Sequence, residues 1–174
     1  MEDVVAIITL DSQNLTVVDL TLTQKKYHFT CKQCASLCCK LGGPVITKNE
    51  AKLIESSGFC VADFLEPINR DVACSSVVAG SLKTRSNGSC IFLKRDQAHN
   101  RHYCSIYPVR PALCRLYPFS FEHCGPNKVA LKIIPCCLGL SSCEGELVTE
   151  KFVSDRVLEP LLEAMRLLQS RRSI

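Results

Sequence analysis

Cysteine is the residue through which this chain can do chemistry: there are thirteen in 174 residues. The first group reads CKQCASLCC and places Cys31, Cys34, Cys38 and Cys39 within nine positions. A C-x2-C pair lets two thiolates converge on one metal ion across a tight turn. Backbone N–H groups nearby can then donate to the sulfurs and tune the site. Adjacent Cys38 and Cys39 leave the backbone in different directions, about 100° apart on a helix and to opposite faces on a strand. The pair is expected to serve two centres, or one centre and the core. The competing reading is a helical stripe of small apolar residues, because the four positions fall at i, i+3, i+7 and i+8. Further along come Cys90, Cys104, Cys114 and the adjacent Cys136 and Cys137.

The compartment decides what thirteen thiols are for. The N-terminus opens on acidic residues, and its apolar run is broken at Asp11, so a secretory leader is not expected. No run of about 18 apolar residues occurs, so a membrane-spanning helix is not expected either. A cytoplasmic location follows, where disulfides rarely persist and an odd count leaves a thiol over. Metal ligation then explains the cysteines better than core packing does. Hydrophobic residues make up 47% and charged residues 22%, as in a soluble globular fold. The formal charge of +4 counts each cysteine as neutral. Eight thiolates holding two divalent ions would cancel it, so the basic balance does not call for a nucleic-acid partner. The absence of Trp and the few aromatics argue against a stacking platform for bases.

The elements that must position these residues read as one α+β domain over 1–174, with the cysteine-bearing core at about 29–140. Val4 to Leu22 reads as a hairpin around the turn Asp11 to Asn14. Thr47 and Glu50 form a capping box opening a helix that Gly58 stops. A second short helix is expected from Val61 to Ile68. Cys74 to Ser89 reads as a loop and Cys90 to Leu93 as a short buried strand. Between Cys104 and Phe121, Pro108, Pro111 and Pro118 pre-order an irregular loop with little regular hydrogen bonding. Val129 to Ile134 reads as a strand, and Cys136 to Cys143 as a last cysteine-rich loop. Glu150 to Ser170 has helical spacing, with Phe152, Val153, Val157, Leu161, Met165 and Leu168 on one side and Pro160 expected to kink or split it.

The longest motif is CSIYPVRPALCRLYPF, from Cys104; FTCKQCASLCC from Phe29, GSCIFL from Gly88 and CLGL from Cys137 accompany it. In this order they resemble the YkgJ-type CxxCxxCC cysteine-cluster family, described as a zinc- or iron-chelating domain. That family's pattern runs F-x-C-x-x-C-x-x-C-C, G-x-C-x-F-L, C-x-I-Y-x-x-R-P-x-x-C-R-x-Y-P-F and C-x-G-I. This chain departs from it in one place, with three residues rather than two between Cys34 and Cys38. The resemblance implies a metal ligand set of Cys31, Cys34, Cys38, Cys39, Cys90, Cys104, Cys114 and Cys137, with Cys136 as the alternative last ligand. Eight thiolates suit two four-coordinate sites or a small cluster.

Outside the pattern, Cys60 reads as a buried free thiol and Cys124 and Cys143 as candidate accessory ligands. His99 and His102 read as exposed loop histidines, and nothing in the spacing of His28 or His123 requires ligation. Arg110 and Arg115 are placed to offset thiolate charge or bind an anion, or are plain surface arginines. Tyr107, Tyr117, Phe119 and Phe121 read as core.

Iron or an iron–sulfur cluster is the first expectation and zinc the close alternative, since thiolate-rich four-coordinate sites suit either. The spacing follows neither local ferredoxin pattern. The leading function is therefore a metal-binding module that carries a cluster, handles metal or exchanges electrons. The resemblance adds an enzymatic alternative, S-adenosylmethionine-dependent protein lysine N-methylation, because flagellin lysine N-methylases carry this cysteine domain within a longer chain. No glycine-rich methyl-donor loop follows a strand here. A third reading is a zinc-stabilised interaction module whose protein partner is unidentified.

Overall fold

The computed structural model describes residues 3–11, 13–35, 37–67, 77–140 and 144–169. In chain order the elements are β1 (Asp3–Leu10), β2 (Val17–Leu22), β3 (His28–Phe29), β4 (Val45–Thr47), α1 (Lys48–Ser56) and α2 (Val61–Phe64). β5 (Leu65–Glu66), β6 (Val78–Leu82), β7 (Leu93–Asp96), β8 (Arg101–Cys104), a 3-10 turn (Tyr107–Val109) and α3 (Ala112–Leu116) follow. β9 (Phe119–Gly125), β10 (Lys128–Ile133) and β11 (Glu146–Leu147) lead to α4 (Glu150–Phe152), a π-helical segment (Val153–Val157) and α5 (Leu158–Gln169). The fold is α+β. By its internal packing the chain forms two compact units, Met1–Lys32 with Leu116–Leu162, and Gln33–Arg115 with Glu163–Ile174.

The first unit is built on an antiparallel sheet of order β2-β1-β10-β9. The hairpin read from the sequence is present. Its turn is held by Asp11, whose Oδ1 accepts from the N–H groups of Gln13 at 2.8 Å and Asn14 at 3.1 Å. Val5, Ile8, Val129, Leu131 and Ile133 are buried from this sheet. β3 pairs with β11. There Phe29 meets Phe119 edge-on with centroids 5.7 Å apart, and Phe152 at 6.3 Å.

Thr149 caps the helical segment that follows by accepting from Phe152 N–H at 3.1 Å. Pro160 does not split it. The chain absorbs the proline in the π-helical turn just before it, where Leu158 N–H donates to Val153 O. Phe152, Val153, Val157, Leu161 and Met165 are buried as expected, but Leu167 is buried in the place expected of Leu168.

The second unit has a sheet of order β4-β6-β5 under α1. The Thr47–Glu50 capping box is formed, with Glu50 N–H donating to Thr47 Oγ1 at 3.1 Å and Thr47 N–H to Glu50 Oε2 at 2.7 Å. Gly58, at φ +94°, ends the helix as read. Ile46, Ile54, Phe64, Leu82, Phe92 and Ile106 make one buried cluster with Cys39 and Cys90.

Four readings need correction here. The helix at Val61 stops at Phe64, where the chain turns into β5; Ile68 lies outside the described residues. The stretch read as a loop contains β6, a strand of small residues whose Gly80 lets Glu66 O come within 2.4 Å of where a Cβ would stand. Cys90 makes only a bridge to Thr84, and the strand starts at Leu93. Cys104 to Phe121 is ordered structure rather than irregular loop: the end of β8, the 3-10 turn, α3 and the start of β9.

Candidate metal centre

In the second unit the Cys38–Cys39 pair, Cys90, Cys104 and Cys114 are each brought in by a different local device. Cys38 and Cys39 lie in a turn closed by Lys40 N–H donating to Leu37 O at 2.9 Å. They do not form a helical stripe. Cys31 to Ala35 has no regular structure, and Gln33 and Ala35 take φ of 51° and 47°. The turn is docked through Cys39 O, which accepts from Cys90 N–H at 2.8 Å. After it, Leu41-Gly42-Gly43-Pro44 runs hard against β6. A Cβ on Gly43 would lie 1.9 Å from Leu82 O, so no other residue fits without displacement.

Cys90 is held by Arg85. Its guanidinium donates to Ile91 O at 2.5 Å and Leu93 O at 2.8 Å, gripping the carbonyls on both sides of Phe92. Cys104 is set by the β7–β8 register, opposite Leu93. Cys114 rides on α3, whose first turn is fixed by Cys114 N–H and Arg115 N–H both donating to Pro111 O at 2.9 Å.

The sulfurs converge. Cys39 is buried, and its thiol is in hydrogen-bond contact with both Cys104 and Cys38. That bond holds Cys38 down to about 7; Arg110 assists and burial opposes. Cys104 is likewise lowered to about 7, first by Cys39, with the Ile106 N–H and Arg110 also favouring the thiolate. Cys39 itself is pushed far up by its contacts with Cys104 and Cys38, which favour the protonated thiol, and by burial. Burial raises Cys90, partly offset by the Phe92 N–H donating to its sulfur. Burial also pushes Cys114 up, with the negative charges of Cys90, Cys104 and Cys38 adding to it. Arg110, which with Arg85 is a cation facing this set, lies 3.8 Å above the Tyr107 ring.

This donor set fits a thiophilic metal. Five soft sulfurs lie within electrostatic reach of one another, and Cys90 and Cys104 each accept from the N–H two residues on, the outer support that thiolate ligands use. Cys38, Cys39 and Cys104 stand in hydrogen-bond contact, and among the described residues no three His, Cys, Asp or Glu side chains are placed to hold a metal ion as they stand.

The remaining predicted ligands are placed as follows. Cys34 is half-buried in the second unit. Cys31 and Cys137 belong to the first unit, Cys31 exposed and Cys137 half-buried. The turn of Cys137 is tied to the residue before Cys31, with Thr30 N–H donating to Gly139 O at 3.2 Å. A Cβ on Gly139 would stand 2.3 Å from Thr30 O, the physical reason for glycine in C-x-G. Cys136 is exposed, as is Cys124, and Cys143 and Cys74 lie outside the described residues.

Cys60 corrects an expectation: it is exposed at the start of α2, while its neighbour Phe59 packs on Phe92 at 5.1 Å. His99 is exposed as expected, with Nδ1 2.8 Å from Asp96 Oδ2, but His102 is half-buried on β8. Arg115 pairs with Glu163 at 2.5 Å. Phe119 is buried, whereas Tyr107, Tyr117 and Phe121 are partly so.

A family model matches residues 30–146, that of CxxCxxCC, a "putative zinc- or iron-chelating domain". The chain belongs to the CxxCxxCC family. Metal chelation is the property by which the family is described. An uncharacterized protein of Methanocaldococcus jannaschii is 32% identical over 138 residues, covering 77% of this chain and 69% of its own. No solved structure matches. No helix among the described residues is long and apolar enough to cross a membrane.

Two supporting residues were not read as such from the sequence. Arg85 sits in a polar stretch with no motif around it. Glu50 was legible as half of a capping box, but its second partner lies 62 positions away.

Proposed function

We propose that this protein binds iron, as an iron–sulfur cluster or as the ion, through Cys31, Cys34, Cys38, Cys39, Cys90, Cys104, Cys114 and Cys137. The observation that carries the reading is the convergence of Cys38, Cys39 and Cys104, with Cys90 and Cys114 close enough to shift one another's charge. The five converging thiols, Cys38, Cys39, Cys90, Cys104 and Cys114, are enough for the four ligands that a common iron–sulfur cluster or a tetrahedral zinc ion takes. Zinc remains the alternative, since a donor set made of sulfur alone suits either metal. A bound metal would supply redox or structural chemistry. The chain's own part is to keep Cys38 and Cys104 as thiolates, shield the centre with Phe92 and Ile106, and place Arg110 against the accumulated negative charge. A thiol-rich centre of this kind suits a reducing, cytoplasmic compartment.

The test is substitution. Cys104→Ser or Cys114→Ser should lower metal per chain, measured by elemental analysis after oxygen-free purification. Cys60→Ser, exposed and outside the pattern, should leave it unchanged. Equal metal content in all three variants would sink the assignment.

A further inference from the structure

We propose that Glu50 is a positioning residue for the metal centre, clamping the segment that carries Arg110 and Cys114; this rests on the metal-binding reading above. Glu50 is buried, which for a carboxylate requires partners. One oxygen is spent locally, Oε2 accepting from Thr47 N–H at 2.7 Å to close the α1 capping box. The other does something a capping box does not need. Oε1 accepts from Ala112 N–H at 2.6 Å, the first residue of α3.

That amide sits in the first turn of a helix, where no intrahelical carbonyl can reach it. Ala112 is itself 2% exposed, so water cannot substitute. One carboxylate therefore ties the start of α1 to the start of α3. The tied residue lies two positions after Arg110 and two before Cys114, so the clamp sets both a candidate ligand and a cation that faces Cys38 and Cys104. A neutral side chain of the same shape cannot replace it. Glutamine offers one acceptor oxygen and an amide N–H that would face a second N–H.

The experiment uses the full-length chain and three variants, Glu50→Ala, Glu50→Gln and Thr47→Ala. Thr47→Ala removes the α1 cap while leaving the Ala112 bond, and so controls for helix stability alone. Two readouts are taken: backbone hydrogen exchange over 110–116 in metal-free protein, and cobalt(II) binding followed by its thiolate charge-transfer band. Glu50→Ala should lose protection at Ala112 and weaken cobalt binding about 10- to 100-fold, as for removal of a residue that supports a ligand. Glu50→Gln should fall between it and wild type. Thr47→Ala should keep protection over 110–116 and bind cobalt as wild type does.

Folded Glu50→Ala with wild-type cobalt affinity and band would overturn the proposal. So would equal losses of affinity in Glu50→Ala and Thr47→Ala, which would mark a purely structural role. Wild-type protein that binds no cobalt would instead overturn the metal reading, and the clamp's role with it. Should Glu50→Ala fail to fold, Glu50→Gln against Thr47→Ala decides the matter by the same two readouts.

Discussion

Gly43→Ala should be among the most damaging small substitutions in the chain. The added Cβ would lie 1.9 Å from Leu82 O, 2.5 Å from Leu82 C and 2.7 Å from Leu82 Cβ. Carbon–oxygen contacts settle at about 3.3 Å or more, so the loop or the strand must retreat by more than about 1 Å. Neither is free to move. Leu82 is 1% exposed in the core, and its N–H donates to Pro44 O at 2.9 Å. Gly43 N–H donates to Thr84 Oγ1, also at 2.9 Å. Overpacking of this kind costs about 1–3 kcal/mol, and loss of both bonds brings the total to about 2–6 kcal/mol. That is a large part of a typical net stability of about 5–15 kcal/mol. Urea unfolding of the metal-free chain should show the midpoint falling accordingly. Gly125→Ala is the control, since its Cβ would meet only Lys128 Cβ at 3.8 Å. A Gly43→Ala variant within about 0.5 kcal/mol of wild type would refute the reasoning.

Other consequences can be checked alongside. Cys38 and Cys104, lowered to about 7 from an ordinary value of 9.0, should give metal-free protein a class of thiols whose iodoacetamide alkylation rises through about pH 7. Cys39→Ala removes the shared donor and should move that midpoint toward 9; an unmoved midpoint would contradict the hydrogen-bonded chain. The same lowered values make a stabilising contribution that is complete above pH 9 and lost as pH falls through about 7. Cys39, raised, works in the opposite sense, its contribution present below 9 and lost as pH climbs toward its folded value. Arg85→Met should cost about 2 kcal/mol, because it leaves Ile91 O and Leu93 O without their charged donor, and should speed hydrogen exchange around Cys90. Unchanged exchange there would show that Arg85 does not hold the loop.

What could be read from the sequence was what is decided locally or by an ordered motif. The β1–β2 hairpin follows from β-branched runs around an Asx turn at Asp11, and α1 from Thr47 and Glu50 three apart. Both are settled within a few residues. β6 was missed because Val78–Leu82 is built of small residues whose fitness for a strand depends on close approach by Glu66, not on side-chain pattern. The β7–β8 hairpin was missed because Leu93–Asp96 and Arg101–Cys104 are mostly charged and polar, so they carry little alternation to read. The prolines before Cys114 suggested an irregular segment, whereas Pro111 instead launches α3, a position where its missing N–H costs nothing. Cys60 was misplaced because its apolar neighbours Phe59 and Val61 turn inward without it. The cysteines themselves were legible as a set, but the carbonyl grip of Arg85 and the reach of Glu50 to Ala112 exist only once the chain has folded.

The most direct test of the central claim is elemental and sulfide analysis, with an optical spectrum, of full-length protein purified without oxygen. The account predicts iron with inorganic sulfide and a visible band that dithionite bleaches, all diminished in Cys104→Ser. Protein holding neither iron nor zinc would contradict metal binding outright; zinc near two per chain with no visible band would contradict the iron assignment and leave the thiolate site standing.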